Sequence, residues 1–127
     1  MQRILVVDDN HDGGDSLGKL LSLYGNQVSV VYDGVSALQA VEQEVPQTIF
    51  LDIGMPKMDG NEVARRIRAL GHENIFLIAL TGWCQERDRA DSESAGFDAF
   101  LPKPVDLESL LAVLASRSEI PNRRQIE

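Results

Sequence analysis

Five short apolar runs alternate along the chain with five segments whose apolar residues recur every three or four positions. The runs fall at 3–8, 27–32, 48–52, 75–80 and 99–101. "ILVV", "TIFL" and "IFLIAL" are apolar without interruption, the pattern of strands covered on both faces in a parallel sheet. "QVSVVY" alternates in part and "DAFL" is short, so both predict edge strands. Between the runs, Leu17, Leu20, Leu21 and Tyr24 share one helical face, as do Leu107, Leu110, Leu111 and Leu114. Leu38, Val41 and Val45 make another, and Val63, Ile67 and Leu70 a fourth. Asp106 after Pro104 predicts an N-cap for the last helix. Segment 84–95, "CQERDRADSESA", carries little more than Ala90 and Ala95 toward a core and predicts an exposed helix.

Gly25, Gly71 and Gly96 each follow a predicted helix, where a left-handed residue ends it. Gly13, Gly14 and Gly18 fall at the start of or inside the first helix, at about 1 kcal/mol each relative to Ala, and the sequence gives no reason for them. Residues 116–127 lose the apolar stripe and read as a fraying end or linker remnant. Strict strand–helix alternation with short connections predicts an α/β fold, an open parallel sheet with helices on both faces. Ligands of such sheets bind at the carboxyl ends of the strands.

Size and charge narrow the class. The 127 residues suit one domain with a real core. A formal net charge of -8 argues against a direct nucleic-acid surface and for cations or basic partner patches. Cys84 is the only cysteine, which excludes an intramolecular disulfide. No run approaches the ~20 apolar residues of a membrane span, and "MQRILVVDDN" lacks a signal-peptide pattern. A cytoplasmic location and no membrane contact by this domain are the expectations.

Acids crowd the ends of the runs. The first ends in Asp8-Asp9-Asn10 and the third in Asp52-Ile53-Gly54; Thr81 follows the fourth and Lys103 the fifth. If the first and third strands are neighbours, three carboxylates share one rim, and at least one would hold its proton unless a cation joined them. Acids without a Cys or His cluster point to Mg²⁺ or Mn²⁺ rather than zinc. A carboxylate beside such an ion can act as a nucleophile toward phosphorus. Lys103 and the Thr81 hydroxyl could meet other phosphoryl oxygens.

"RILVVDDN", "FLDIGMPKMDG", "IALTG" and "FLPKP", in this order, resemble the receiver domains of two-component response regulators. The likeness runs from about Arg3 to Arg117, setting 1–117 as the phosphoacceptor receiver domain and 118–127 as a tail or linker remnant. It implies the flavodoxin-like strand order 2-1-3-4-5. It implies Asp52 as the residue phosphorylated from a kinase histidine. Asp8 and Asp9 would hold Mg²⁺ with Asp52 and the backbone carbonyl of Gly54. Thr81 and Lys103 match the switch hydroxyl and lysine, Phe100 the switch aromatic, and the Lys103–Pro104 bond is expected to be cis. Gly54 and Trp83 stand where the family sets phosphate lifetime. Trp83 is expected to shield the acyl phosphate from water, an expectation that an unchanged dephosphorylation rate in Trp83→Ala would remove.

The partners implied are a histidine kinase or histidine phosphotransfer protein, and a downstream protein on the face made by 84–95, 99–101 and 106–117. A homodimer is also compatible. "LDIGMPKMDG", "ALTGWCQERDR" and "KPVDLESLL" look most like receivers of hybrid sensor histidine kinases; the alternative is a stand-alone response regulator. The receiver would act catalytically only on its own phosphorylation and dephosphorylation. An Asp-nucleophile phosphatase of the haloacid dehalogenase type would need an acid where Gly54 stands, and a flavodoxin-type phosphate cradle would be repelled by Asp8 and Asp9.

Several residues invite plainer readings. Asp59 before Gly60 suits a turn and N-cap, and Met55 and Met58 suit loop packing. His11 is expected to face solvent, His72 carries no functional claim, and Cys84 is expected to be a passive thiol. Arg65, Arg66 and Arg68 read as the solvated face of their helix.

Overall fold

A computed structural model describes residues 2–82 and 86–116, with the side chains of 86–89 excepted. Trp83, Cys84, Arg117 and the 118–127 tail lie outside the described residues. Ten elements alternate: β1 (Arg3–Val7), α1 (His11–Leu23), β2 (Gln27–Val31), α2 (Gly34–Gln43), β3 (Thr48–Asp52), α3 (Gly60–Ala69), β4 (Phe76–Thr81), α4 (Glu86–Ala95), β5 (Ala99–Pro102) and α5 (Leu107–Ser116). All neighbouring strands pair in parallel, in the order β2-β1-β3-β4-β5, so the two expected edge strands are the edges. Among the described residues no helix is long and apolar enough to cross a membrane.

The unbroken apolar runs are strands covered on both faces. Leu5, Val7, Ile49, Leu51, Leu77 and Ala79 point to one side, against Ala37 and Val41 of α2, Val63 and Ile67 of α3 and Ala95 of α4. Their neighbours Ile4, Val6, Phe50, Ile78 and Leu80 point to the other, against Leu17 and Leu21 of α1 and Leu110 and Val113 of α5. Alternation at a period of two thus feeds two cores from one sheet.

Three helical stripes stop earlier than the periodicity suggests. Tyr24 and Leu70 are the C-cap residues of α1 and α3, Val45 lies past the end of α2, and all three are exposed. A stripe turns away once the helix that carries it has ended. On α5 the inward face is centred on Leu110 and Val113, whereas Leu107 and Leu111 are each 40% exposed. The strand bounds also shift by a residue, with Asp8 and Tyr32 just past β1 and β2 and Thr81 inside β4.

The helix starts follow their caps. Asn10, Asp33, Asp59 and Asp106 each accept a hydrogen bond from the backbone N–H three residues on. Gly25, Gly71 and Gly96 have positive φ, as their places after helices require. The helical glycines now have a reason. A Cβ on Gly14 would lie 3.3 Å from Val30 Cγ1 and from Asp8 Cβ, and one on Gly18 would lie 2.7 Å from Val30 Cγ2. The missing side chains let α1 lie close on β1 and β2, and Gly13 keeps its Cβ space clear beside Asp8 Oδ2.

Candidate phosphoacceptor site

Three strand ends build the site. Asp8 follows β1, Asp52 closes β3, and Lys103 follows β5. The β1–β3 pairing makes the first two neighbours, since Val7 stands opposite Leu51. One carboxylate oxygen from each of Asp8, Asp9 and Asp52 lies within 4.8 Å of the others. Asp8 and Asp52 are buried, and Asp9 is exposed at the mouth.

Lys103 supplies a counter-charge for the acid at the end of buried β3. Its Nζ lies 3.0 Å from Asp52 Oδ2 and 3.5 Å from Asp8 Oδ2. The other carboxylate oxygens are held by the backbone: Gly54 N–H donates to Asp52 Oδ1 at 3.0 Å, and Asn10 N–H to Asp8 Oδ1 at 3.0 Å. The loops are tied to one another as well. Ile53 N–H donates to the Leu80 carbonyl and Lys103 N–H to the Thr81 carbonyl. The Lys103–Pro104 peptide is cis.

Thr81 ends β4, one residue beyond Leu80, the strand partner of Asp52. It is half-buried at the same rim, with Pro102 as its own partner. Phe100 on β5 is half-buried against the first core, its ring centroid 6.2 Å from that of Phe97. Gly54 is exposed in the turn after Asp52. Asp8, Asp9, Asp52, Gly54, Thr81 and Lys103 therefore gather at one end of the sheet, while Phe100 stands on β5, three residues before Lys103 and opposite Ala79. A groove of about 340 Å³ runs from Asp8 and Lys103 between Leu17 and Leu20 of α1 and Val105.

Two buried carboxylates share one ammonium, and the imbalance appears in their protonation. Burial, with the adjacent Asp52 adding to it, raises the Asp8 carboxyl above its ordinary range against the Asn10 N–H and Lys103. Burial also pushes Asp52 up, but Lys103, the Gly54 N–H and the Asp8 hydrogen bond together outweigh it, and Asp52 is lowered. Burial pulls Lys103 down, yet its two acids raise it, so it stays charged. Asp8 therefore opposes folding above its raised folded-state pKa, and the penalty vanishes below the ordinary carboxylate range. Asp52 does the reverse, stabilising above that range and losing its contribution as acid protonates it.

Asp8→Asn should accordingly raise the stability of the metal-free chain at neutral pH by on the order of 1 kcal/mol, a few degrees in melting temperature. The gain should fade on acidification, and Mg²⁺ should protect the variant less than the native chain. Thermal melts in chelator and in Mg²⁺ measure both; a variant less stable in chelator at neutral pH would contradict the charge imbalance. The donor set fits a hard divalent cation, being oxygen-only, short of positive charge and open at Asp9.

Other residues fall where simpler readings put them, with one exception. Met55 is buried and Met58 packs against the core. His11 is exposed and stacks on Tyr32, with centroids 3.7 Å apart. Arg65 and Arg66 pair with Glu62 on the solvated face of α3. Arg68 does not share that face. Its side chain is 13% exposed and pairs with Asp98 at 2.9 Å. The nearest sequence signal was an acid two residues after a helix-ending glycine, thirty positions away, which local periodicity does not connect to Arg68.

The chain resembles known proteins over most of its length. The model of the response regulator receiver domain family matches residues 4–115. The response regulator MprA of Mycobacterium ulcerans is 41% identical over 110 residues, covering 87% of this chain and 47% of the relative. MprA of Mycobacterium avium matches equally, over 48% of its length. The chain thus spans about half the length of these curated relatives. Among solved structures, Vibrio cholerae chemotaxis protein CheY4 superposes with a TM-score of 0.87 at 26% identity, covering 91% of this chain and 97% of that one. A CheY-like receiver domain from Methanospirillum hungatei gives 0.85 at 29%, covering 94% and 95%.

Proposed function

Because the chain belongs to the response regulator receiver domain family, whose members act as phosphoacceptors, we propose that Asp52 takes a phosphoryl group from a histidine of a partner kinase or phosphotransfer protein. One observation carries the assignment to Asp52. Of the two buried acids in the cluster, Asp52 is held below its ordinary pKa range and Asp8 above it, and Asp52 has the closer lysine, at 3.0 Å against 3.5 Å. With Lys103 on one carboxylate oxygen and the Gly54 N–H on the other, it is held in a fixed orientation at the rim, as a nucleophile toward phosphorus must be.

In the transfer, a carboxylate oxygen of Asp52 forms a P–O bond as the donor's N–P bond breaks, and the electron pair stays with the donor's imidazole. Asp8 and Asp9, with Asp52 and the Gly54 carbonyl, would hold Mg²⁺ or Mn²⁺, which supplies positive charge against the phosphoryl oxygens. Lys103 is placed to leave its carboxylates for a phosphoryl oxygen, and Thr81 to donate its hydroxyl to another. The pull on Thr81 and a following shift of Phe100 would favour one of two surfaces, through contacts that only the phosphorylated state makes. The downstream partner would meet that change on the face built by α4, β5 and α5. The domain turns over no external substrate in this reading, and it works in the cytoplasm.

For its setting, the loop sequences support the receiver of a hybrid sensor histidine kinase, with residues 118–127 a tail or linker remnant. A second reading, part of a response regulator, is favoured by the MprA relatives, which are about twice as long as the match. The length and content of the parent gene decide between them.

The test of the acceptor is direct. Incubated with Mg²⁺ and a small acyl phosphate, the chain should gain one phosphoryl group, sensitive to hydroxylamine and located by peptide mapping at Asp52. Chelation should prevent it. A label on another residue would overturn the assignment.

A further inference from the structure

Arg68 lies far from the phosphoacceptor rim, yet it makes five hydrogen bonds, as many as a guanidinium has N–H groups. Nε and Nη2 donate to the Gly96 carbonyl at 3.1 and 2.7 Å. Nη1 donates to the carbonyls of His72 at 2.8 Å and Ile75 at 2.9 Å, and Nη2 also reaches Asp98 Oδ2 at 2.9 Å. One side chain on α3 thereby joins the end of its own helix, the entry to β4, the end of α4 and the start of β5.

Its partners are as constrained as it is. Asp98 Oδ2 also accepts from Leu77 N–H at 3.0 Å, while Asp98 N–H donates to the Leu77 carbonyl at 2.8 Å, so this residue clips β5 to β4 through both side chain and backbone. Gly96 has φ +111°, and a Cβ there would lie 2.7 Å from Arg68 Cγ. Only glycine allows both the turn and the close passage of the arginine stem. One turn earlier, buried Ser92 donates its hydroxyl to Asn61 of α3 at 2.9 Å, and Ala95 and Phe97 are buried in the core.

The other half of the same helix differs. Ala90 and Asp91 are exposed, and the sequence of 86–91 contains one apolar residue, Ala90. Helices ordinarily loosen at their ends, where hydrogen bonds run out. At the C-terminal end of α4 the Gly96 carbonyl instead takes two bonds from Arg68. We infer that Arg68 is a positioning residue that makes the C-terminal end of α4 a fixed pivot, so that phosphorylation displaces the N-terminal half of α4 and leaves 96–98 in place. The inference rests on the phosphoacceptor reading for its trigger, but the clamp itself does not.

Arg68→Lys tests it, because an ammonium keeps the charge and loses the fork. Asp98→Asn is the gentler companion, keeping an acceptor for both Leu77 and Arg68. The readout is amide hydrogen exchange by NMR, in chelator and after phosphorylation with Mg²⁺ and a small acyl phosphate. In chelator, the native amides of Gly96, Phe97 and Asp98 should exchange about tenfold more slowly than those of Ala90 and Asp91. On phosphorylation, Ala90 and Asp91 should change by about threefold or more and residues 96–98 by less than about twofold.

In Arg68→Lys, exchange at 96–98 should rise about tenfold and become responsive to phosphorylation, with a smaller change of the same sign in Asp98→Asn. The rate of Asp52 labelling should stay within about twofold of native, since Arg68 does not touch the site. Equal exchange at the two ends of native α4 in chelator, or unchanged 96–98 rates in both variants, would overturn the clamp. Native 96–98 amides that respond as strongly as 90 and 91 would overturn the pivot. Failure of the native chain to take any label would instead overturn the phosphoacceptor reading.

Discussion

Asp52→Asn is expected to reduce phosphoryl labelling by about a hundredfold or more while the chain remains folded. The amide keeps the shape of the carboxylate, and its oxygen can still accept from Gly54 N–H. What it loses is the charge that makes the group a nucleophile and that pairs with Lys103 at 3.0 Å. Lys103 then has Asp8, at 3.5 Å, as its remaining site carboxylate of the pair. The effect on folding combines two opposed contributions. A low-pKa carboxylate that stabilised the neutral-pH fold is gone, and so is its repulsion with Asp8. A melting temperature within a few degrees of native is expected, so loss of label in a folded variant reports chemistry. Labelling retained at the native rate would place the acceptor elsewhere.

Gly60→Val should damage the fold more than any exposed substitution. Gly60 begins α3 and its N–H donates to the Ile53 carbonyl. A Cβ there would lie 2.5 Å from the Asp52 carbonyl oxygen, 2.7 Å from Ile53 Cα and 3.0 Å from Asp52 C, all backbone atoms. No side-chain rotation relieves such a contact, so either α3 lifts from the sheet or the turn after Asp52 moves. Overpacking costs roughly 1–3 kcal/mol against atoms that can yield, and about 3 kcal/mol or more is expected here, out of a total stability on the order of 5–15 kcal/mol.

Gly25→Ala makes the control. Its φ is +86°, but nothing lies within 4 Å of the added Cβ, so only left-handed strain of about 1–2 kcal/mol is incurred. Urea denaturation ranks the two. A Gly60→Val chain no less stable than Gly25→Ala would contradict the close docking of α3 on β3. Because the contact falls on Asp52 and Ile53, labelling should fall with stability.

The sheet and the rim were legible in the sequence for the same reason. Runs such as "TIFL" and "IFLIAL" have one reading at this length, and a parallel sheet must present their ends together. Asp8, Asp52, Thr81 and Lys103 are polar groups standing where apolar runs stop, so their chemistry shows without any knowledge of distance. Helix faces were less legible. Tyr24, Val45 and Leu70 continue a periodicity after hydrogen bonding has ended, and periodicity carries no mark for that end. On α5 the leucines at 107 and 111 concealed the inward place of Val113. The purposes of Gly14, Gly18 and Arg68 depend on residues distant along the chain: Val30 for the glycines, Gly96 and Asp98 for the arginine. A local pattern holds no such information.

Parallel pairing also sorts the connections into two sets. Loops leaving the strands carry Asp8, Gly54 and Lys103, whereas those entering them turn at Gly25, Gly71 and Gly96 on the opposite pole. At Gly25 and Gly71 no heavy atom lies within 4 Å of where a side chain would begin. These two corners are therefore natural points for lengthening the polypeptide, by a reporter peptide or a grafted module, because added residues there would enlarge a solvent-facing bend at small entropic expense and leave the pole that carries Asp8, Asp52 and Lys103 undisturbed.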